Sequence, residues 1–261
     1  MNFVTNPIDG LRIAYHRAGT GPAVVMIHGS ALSHAVWREF GYVRDLAADH
    51  TVIALDLRGH GRSGKPHAQA AYRMELFVAD VLTVLDQLEI DRADYLGYSL
   101  GGRIGFALAD AYPERVMKFI SAAGAPGNQP GAFDRIFFPG CIQTLESGDL
   151  QAFLATWQAF SGQTLDPVTR AAFATNDGPA LAAYMCQSER EPGVPDSRLA
   201  GFIPPTLLLV GSEDSQRLGA AEQVRATVPR ASLHVIPGAT HADLLSRPEA
   251  LSAVRAFLSN P

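Results

Sequence analysis

A serine stands between glycines in GYSLGG, residues 97 to 102, with the spacing G-x-S-x-G: Gly97, Ser99, Gly101. The apolar run ADYLGY leads into it and a helical pattern, LGGRIGFALADAYPE, leads out. A strand-to-helix turn this tight forces the serine into a strained backbone conformation, and side chains two positions before and after it would collide with neighbouring backbone. Glycine relieves both collisions. The chemistry open to such a serine is nucleophilic attack, but a hydroxyl is a poor nucleophile at neutral pH. It needs a general base, and the base needs a carboxylate to fix its tautomer and stabilise its cation. His241 in GATHADLL and Asp214 at the end of TLLLVGSED both lie just past strand-like runs. Glu213 is adjacent to Asp214, and His234 is the neighbouring histidine. His234 falls inside a strand, where its side chain is expected to pack on one face. The spacing G-x-x-D from Gly211 favours Asp214 over Glu213, by analogy with a fold.

Attack on a carbonyl creates an oxyanion, which needs preorganised N–H donors. The backbone N–H of Leu100, at the start of the helix after Ser99, is one candidate. The backbone N–H of Ser30, in the strand-end stretch HGS (28 to 30), is the second. His28 at a buried strand end reads as hydrogen-bonded scaffold. His34, a few residues on, is a candidate for the pocket lining, with a solvated role as the alternative. The histidines at 16, 34, 50, 60 and 67 show no i, i+4 pairing and no carboxylate cluster, so no metal site is expected.

A second glycine-rich stretch, GHGRSG (59 to 64), fits the spacing G-x-G-x-x-G of dinucleotide-binding turns. That fingerprint works only where its last glycine opens a helix, because the pyrophosphate rests on the helix's first amides. Here Lys65 and Pro66 follow, and the next helical pattern begins near Met74. The stretch reads as a loop, and no cofactor is expected.

These residues must be positioned by a larger frame. Strand-like runs at 11 to 18, 23 to 29, 51 to 56, 93 to 99, 115 to 124, 206 to 214 and 232 to 240 alternate with helical patterns at 36 to 49, 74 to 89, 100 to 114, 220 to 228 and from about 248 to 258. Near-continuous apolar strands separated by helices imply an α/β fold with a mostly parallel sheet covered on both faces, and chemistry at the strands' C-terminal ends. Residues 126 to 200 break the rhythm. They read as a mainly helical insertion, bordered by APGNQPG and PGVPDSRLAGFIPP, with Phe153, Trp157, Phe160, Phe173, Tyr184 and Met185 at helix-like spacings. The core is thus 1–125 and 201–261. The aromatic residues of the insertion are either its own core or pocket walls, Trp157 and Phe137 being the wall candidates. Arg135, Arg170, Arg190 and Arg198 read as solvated.

The bulk numbers agree with a folded chain built around small-molecule chemistry. Of 261 residues 47% are hydrophobic and 18% charged, and the net charge is -5, which leaves no cationic excess for nucleic acid or an anionic membrane. No stretch approaches the ~20 apolar residues of a membrane span, and the first residues lack a basic and an apolar region of the kind that directs export. A cytoplasmic protein is expected, with Cys141 and Cys186 as packed thiols rather than a disulfide.

With HGS, DLRGHGRSG, GYSLGG, GSED and GATH in this order, the sequence resembles the α/β-hydrolase superfamily, in its serine esterase, lactonase and cofactor-free haloperoxidase-like branch. The resemblance covers residues 1 to about 125 and 201 to 261. It implies that DLRGHGRSG is a structural loop beside the active site and that 126–200 is a helical cap. Haloalkane dehalogenases and most epoxide hydrolases of the family carry aspartate at the nucleophile position, so Ser99 argues against both. The leading expectation is a serine hydrolase acting on a small to medium, fairly apolar ester or lactone. C–C bond hydrolysis or perhydrolysis with the same residues is a second expectation, and a ligand receptor with a slow triad a third.

Overall fold

The computed structural model describes residues 1–162, 164–165 and 167–260. Among these, eight strands form one sheet: β1 (Asn2–Thr5), β2 (Arg12–Ala18), β3 (Ala23–Ile27), β4 (Thr51–Leu55), β5 (Ala93–Tyr98), β6 (Val116–Ala122), β7 (Thr206–Gly211) and β8 (Ala231–Ile236). Their order across the sheet is β1-β2-β4-β3-β5-β6-β7-β8. β2 pairs antiparallel with β1 and β4, and every later pairing is parallel. The expected mostly parallel α/β sheet is therefore present. β1 was not expected: it is short and largely exposed, so it carries no apolar periodicity.

Twelve helices accompany the described strands. α1 (Ala35–Glu39), α2 (Tyr42–Leu46), α3 (Met74–Gln87) and α4 (Leu100–Ala111) lie in the first half. Between β6 and β7 come α5 (Ala132–Ile136), α6 (Cys141–Glu146), α7 (Leu150–Ser161), α8 (Pro167–Ala174), α9 (Gly178–Arg190) and α10 (Asp196–Leu199). α11 (Ser215–Thr227) joins β7 to β8, and α12 (Pro248–Ser259) closes the fold. Helix starts follow local chemistry: the Asp149 and Asp177 carboxylates accept from the N–H of Ala152 and Ala180 at the starts of α7 and α9. The single helix expected over 36–49 is two short ones. Gly41, at φ 84°, takes the left-handed conformation that ends a helix. α11 begins at Ser215, earlier than the expected 220, because the Asp214 side chain caps it through the N–H of Arg217.

Alternation along the strands divides the core into two layers. Val24 and Met26 of β3 point to one face, where they join Trp37, Tyr42, Leu46 and the α12 residues Val254 and Leu258. Val25 and Ile27 point to the other, towards Phe77 and Val81 of α3, Ile104 of α4 and Val224 of α11. That second layer continues into the helices between β6 and β7 through Phe133, Phe137, Phe153 and Tyr184. Cys141 is buried and Cys186 half-buried, and both are free thiols. His234 was expected to pack. It is exposed, because β8 is the last strand of the sheet and most of its residues are open to solvent. No described helix is long and apolar enough to cross a membrane.

Candidate active site

The parallel pairings bring the ends of β3, β5, β7 and β8 to one edge of the sheet, and each end carries one of the singled-out residues. Ser99 directly follows β5 and takes φ 52°, ψ −108°, with its N–H donated to the Ala122 carbonyl at 2.8 Å. A side chain at this φ is strained, and the turn is held by its neighbours. A Cβ on Gly97 would lie 2.3 Å from the backbone of Gly101, and one on Gly101 would lie 2.1 Å from the Ile27 carbonyl oxygen. Both positions admit only glycine.

β6 and β7 lie between β5 and β8, so three inter-strand spacings of ~4.8 Å, roughly 14 Å, separate them. The chain from the end of β8 to His241 is long enough to cover that distance when extended. His241 Nε2 lies 3.1 Å from Ser99 Oγ, and its Nδ1 lies 2.6 Å from Asp214 Oδ2. Tyr98 fixes the returning loop by donating its hydroxyl to the His241 carbonyl at 2.6 Å. Asp243 holds the same loop from below, accepting from the N–H and hydroxyl of Thr240 and pairing with Arg247. Glu213, the alternative to Asp214, is exposed and accepts from Ser212 at 3.2 Å. The Ser99, His241 and Asp214 side chains thus form one hydrogen-bonded line, able to pass a proton from the hydroxyl to the imidazole.

The sequence also singled out Ser30 and Leu100, and they flank the same space. Both line a small chamber at Ser99, together with Arg103, Asn128, Tyr184 and Arg217. Leu100 opens α4, so its N–H has no acceptor within the helix. Ser30 is fixed from above, its hydroxyl 2.8 Å from that of Tyr184 in α9. From below it is fixed through His28, whose Nδ1 hydrogen-bonds the Gly29 carbonyl at 2.7 Å and whose Nε2 accepts from the Leu57 N–H at 3.1 Å. Both contacts require the neutral Nδ1–H tautomer, and burial depresses the imidazole pKa to about 4. His28 is scaffold, as its sequence position suggested.

A second, larger cavity opens on the other side of Ser99. Its walls are apolar: Leu32, Val36, Phe40, Phe133, Ile136, Phe137, Trp157, Phe173 and Leu245, with His241 at the rim. Trp157 and Phe137 are therefore at the cavity. They also pack on each other edge to face, with centroids 4.9 Å apart. His34 is not among the lining residues. Its Nδ1 and its backbone N–H are both bound to Asp56 Oδ1, at 2.8 and 2.7 Å, which turns the ring away. The sequence could not show this, because the partner is a carboxylate at the end of another strand.

Asp56 also explains GHGRSG. The loop folds around this carboxylate, with the Arg62 N–H donated to Oδ2 at 2.9 Å, and a Cβ on Gly61 would lie 2.3 Å from the carboxyl carbon. Burial raises the Asp56 pKa, but hydrogen bonds and charge from His34, with His28, overcome this and bring it to about 2. Gly61 makes room for the chain's own anion, while Gly59 clears the Tyr72 ring and Gly64 the Leu11 side chain. Among the described residues no group of three or more His, Cys, Asp or Glu side chains could hold a metal ion. Arg103 and Arg217 went unnoticed in the sequence, and Tyr184 stood out only as one of the insertion's aromatic residues, since none sits in a motif and their convergence depends on how the inserted helices fold back.

Comparison with known proteins adds a frame. The model of the alpha/beta hydrolase fold family matches residues 22–141. A hydrolase from Pseudomonas aeruginosa PA01 superposes with a TM-score of 0.83 at 27% identity, covering 99% of this chain and 98% of that one. The esterase RhEst1 from Rhodococcus sp. ECU1013 superposes with a TM-score of 0.83 at 25% identity, over 100% of this chain and 98% of the other. Together with the sheet order and the turn at Ser99, these matches show the α/β-hydrolase fold. A curated relative, 2-hydroxymuconate semialdehyde hydrolase from Pseudomonas sp. (strain CF600), is 40% identical over 117 residues, 44% of this chain and 41% of that protein. The chain thus matches less than half the length of that relative, and the same holds for other curated relatives of comparable identity.

Proposed function

We propose that the protein is a serine hydrolase that cleaves a small to medium, fairly apolar carboxylic ester or lactone through an acyl-enzyme. One observation carries the reading: Ser99 Oγ stands 3.1 Å from His241 Nε2 on a strained turn, at the junction of an apolar cavity and a chamber flanked by Ser30 and Leu100. In this reading Oγ attacks the carbonyl carbon while Nε2 takes its proton. Asp214, bound to Nδ1, stabilises the imidazolium. The Ser30 and Leu100 N–H groups receive the oxyanion, each worth about 3 to 4 kcal/mol by the mutational yardstick. The imidazolium then protonates the leaving alkoxide, and water, activated by the same imidazole, releases the acid. A fluorophosphonate probe should label Ser99 and abolish turnover of p-nitrophenyl esters, and Ser99→Ala should be inert. Intact turnover in Ser99→Ala would defeat the reading.

The named activity of the Pseudomonas sp. (strain CF600) relative supports a second reading, in which the same residues hydrolyse a C–C bond. Rates on p-nitrophenyl esters and on vinylogous diketones separate the two.

A further inference from the structure

Two cavities meet at Ser99, and they differ in chemistry. The larger is walled by residues such as Leu32, Val36, Trp157 and Leu245. The smaller holds two guanidinium groups, those of Arg103 and Arg217. Arg103 is 3% exposed. Its Nη1 donates to the Ser188 carbonyl at 3.0 Å and the Ser188 hydroxyl at 2.7 Å, and its Nη2 donates to the Glu191 carbonyl at 2.9 Å. All three acceptors are neutral. Its Nε is buried without a hydrogen-bond partner among the described residues. The Glu191 carboxylate accepts from Gln187 instead. Arg217 contributes its backbone N–H to the Asp214 cap, and its guanidinium makes no ion pair or hydrogen bond with a described side chain.

Elsewhere the fold treats a buried arginine differently. Arg58 is fully buried, and it meets Asp80 through Nε and Nη2 at 2.7 Å each and Asp9 through Nη1 at 2.9 Å. Burial opposes its charge, but the two carboxylates hold its pKa above the ordinary value. For Arg103 and Arg217 burial prevails, and both are held below theirs. Two like charges in one chamber are costly when Arg103 hydrogen-bonds only neutral acceptors, the half-buried Arg217 no described side chain, and the carboxylates of Glu191 and Asp214 attract them without forming an ion pair; a bound anion removes that cost. A guanidinium with free, coplanar N–H groups is also the preferred partner of a carboxylate.

We propose that this chamber is a carboxylate-binding subsite, so that the substrate carries an anionic group on the Arg103 and Arg217 side of its reacting carbonyl and an apolar group on the other. The inference rests on the reading of Ser99 as nucleophile and narrows its substrate class. Two measurements test it, one of them independent of turnover. In the first, kcat/KM for mono-4-nitrophenyl adipate is compared with that for 4-nitrophenyl hexanoate, an ester of equal chain length without the charge. The adipate should be favoured tenfold or more, chiefly through KM. Arg217→Gln should lower that preference at least tenfold, and Arg217→Lys should retain part of it. A ratio at or below unity, or one unmoved by Arg217→Gln, overturns the subsite.

In the second, calorimetry on Ser99→Ala compares 4-phenylbutanoate with 4-phenylbutanamide. The carboxylate should bind at least tenfold tighter, and Arg217→Gln should erase the difference. Equal binding overturns the subsite, as does stabilisation by inorganic phosphate with no preference for the carboxylate ligand. If neither ester is cleaved but the carboxylate preference stands, the hydrolase reading fails and the subsite survives. Arg217 is the position to change because Arg103 ties α4 to α9, and Gln at 217 leaves the backbone cap of α11 in place.

Discussion

Asp214 performs two tasks with its two oxygens: Oδ1 accepts from the Arg217 N–H at the start of α11, and Oδ2 faces His241 Nδ1. The tasks separate by substitution. Asparagine is as good a helix N-cap as aspartate, so Asp214→Asn should leave the urea midpoint nearly unchanged, yet it presents an amide to the imidazole and favours the wrong tautomer. Turnover of a p-nitrophenyl ester should fall on the order of 10⁴-fold, the effect of the same change in the chymotrypsin-type triad. Asp214→Ala should lose comparable activity and about 1 kcal/mol of stability besides. Equal stability loss in both variants would show that the cap matters less than the pair. Ser99, Asp214 and His241 were legible because each follows an apolar strand in a short recognisable stretch. Arg103, Tyr184 and Arg217 were not, because what defines them is the partners they lack or share across α4, α9 and α11. His34 was misplaced for a related reason: nothing near it in sequence announces Asp56.

Elements show the same division between local and distant causes. α4 and the turn before it could be read from GYSLGG alone, because the need for glycine there is steric and local. Gly101→Ala should cost about 3 kcal/mol or more, since the neighbouring atom is a β3 backbone carbonyl that cannot yield. Gly219, in the second turn of α11, provides the contrast: a Cβ there meets nothing within 4 Å and its φ is not in the left-handed region. Gly219→Ala should stabilise the protein by about 0.5 to 1 kcal/mol through helix propensity and a less flexible unfolded chain. Denaturation of the two variants side by side checks both, and a destabilised Gly219→Ala would contradict the steric account. The split of 36–49 into α1 and α2 is not carried by the residue pattern, which runs on through Gly41; the left-handed φ of that glycine is what ends α1. β1 escaped because an exposed edge strand of four residues leaves no periodic trace.

At the scale of the whole molecule, acid should weaken the fold earlier than carboxylate chemistry alone would. His28 and His60 are buried against each other, centroids 5.3 Å apart, behind the loop that carries Ser30. Burial lowers the first to about 4 and the second, with help from His28, to about 3, against 6.5 for an exposed imidazole. Below pH 6.5 the unfolded chain binds protons that the folded chain refuses. The histidine contribution is therefore fully present above pH 6.5 and declines as the pH falls towards 4 and then 3, at up to about 2.7 kcal/mol per pH unit while both rings contribute, and below pH 6 about half of that slope is offset by Asp94, which burial raises to about 6 so that the folded chain takes up a proton there. Asp56 adds a later loss, because its folded value of about 2 lies below the ordinary 3.8, so its contribution is present above pH 3.8 and disappears as the pH falls through 2. The net charge of -5 shrinks over the first part of this range, which relieves self-repulsion and works weakly in the opposite direction. Urea midpoints at pH 8, 6 and 5 should fall in that order. His60→Phe should remove most of the slope below pH 6, since it deletes one of the two titrating rings, leaving His28 against the opposing Asp94, and an Nε2 that is buried without a partner among the described residues. A flat profile between pH 8 and 5 would mean that the two rings titrate normally. Protonating His28 in the folded chain would place an N–H against the Leu57 N–H beneath Ser30, and this requires a pH near its folded value of about 4, so the ester turnover of the folded protein should show a further drop there, below the interval in which the unfolded chain takes up its protons.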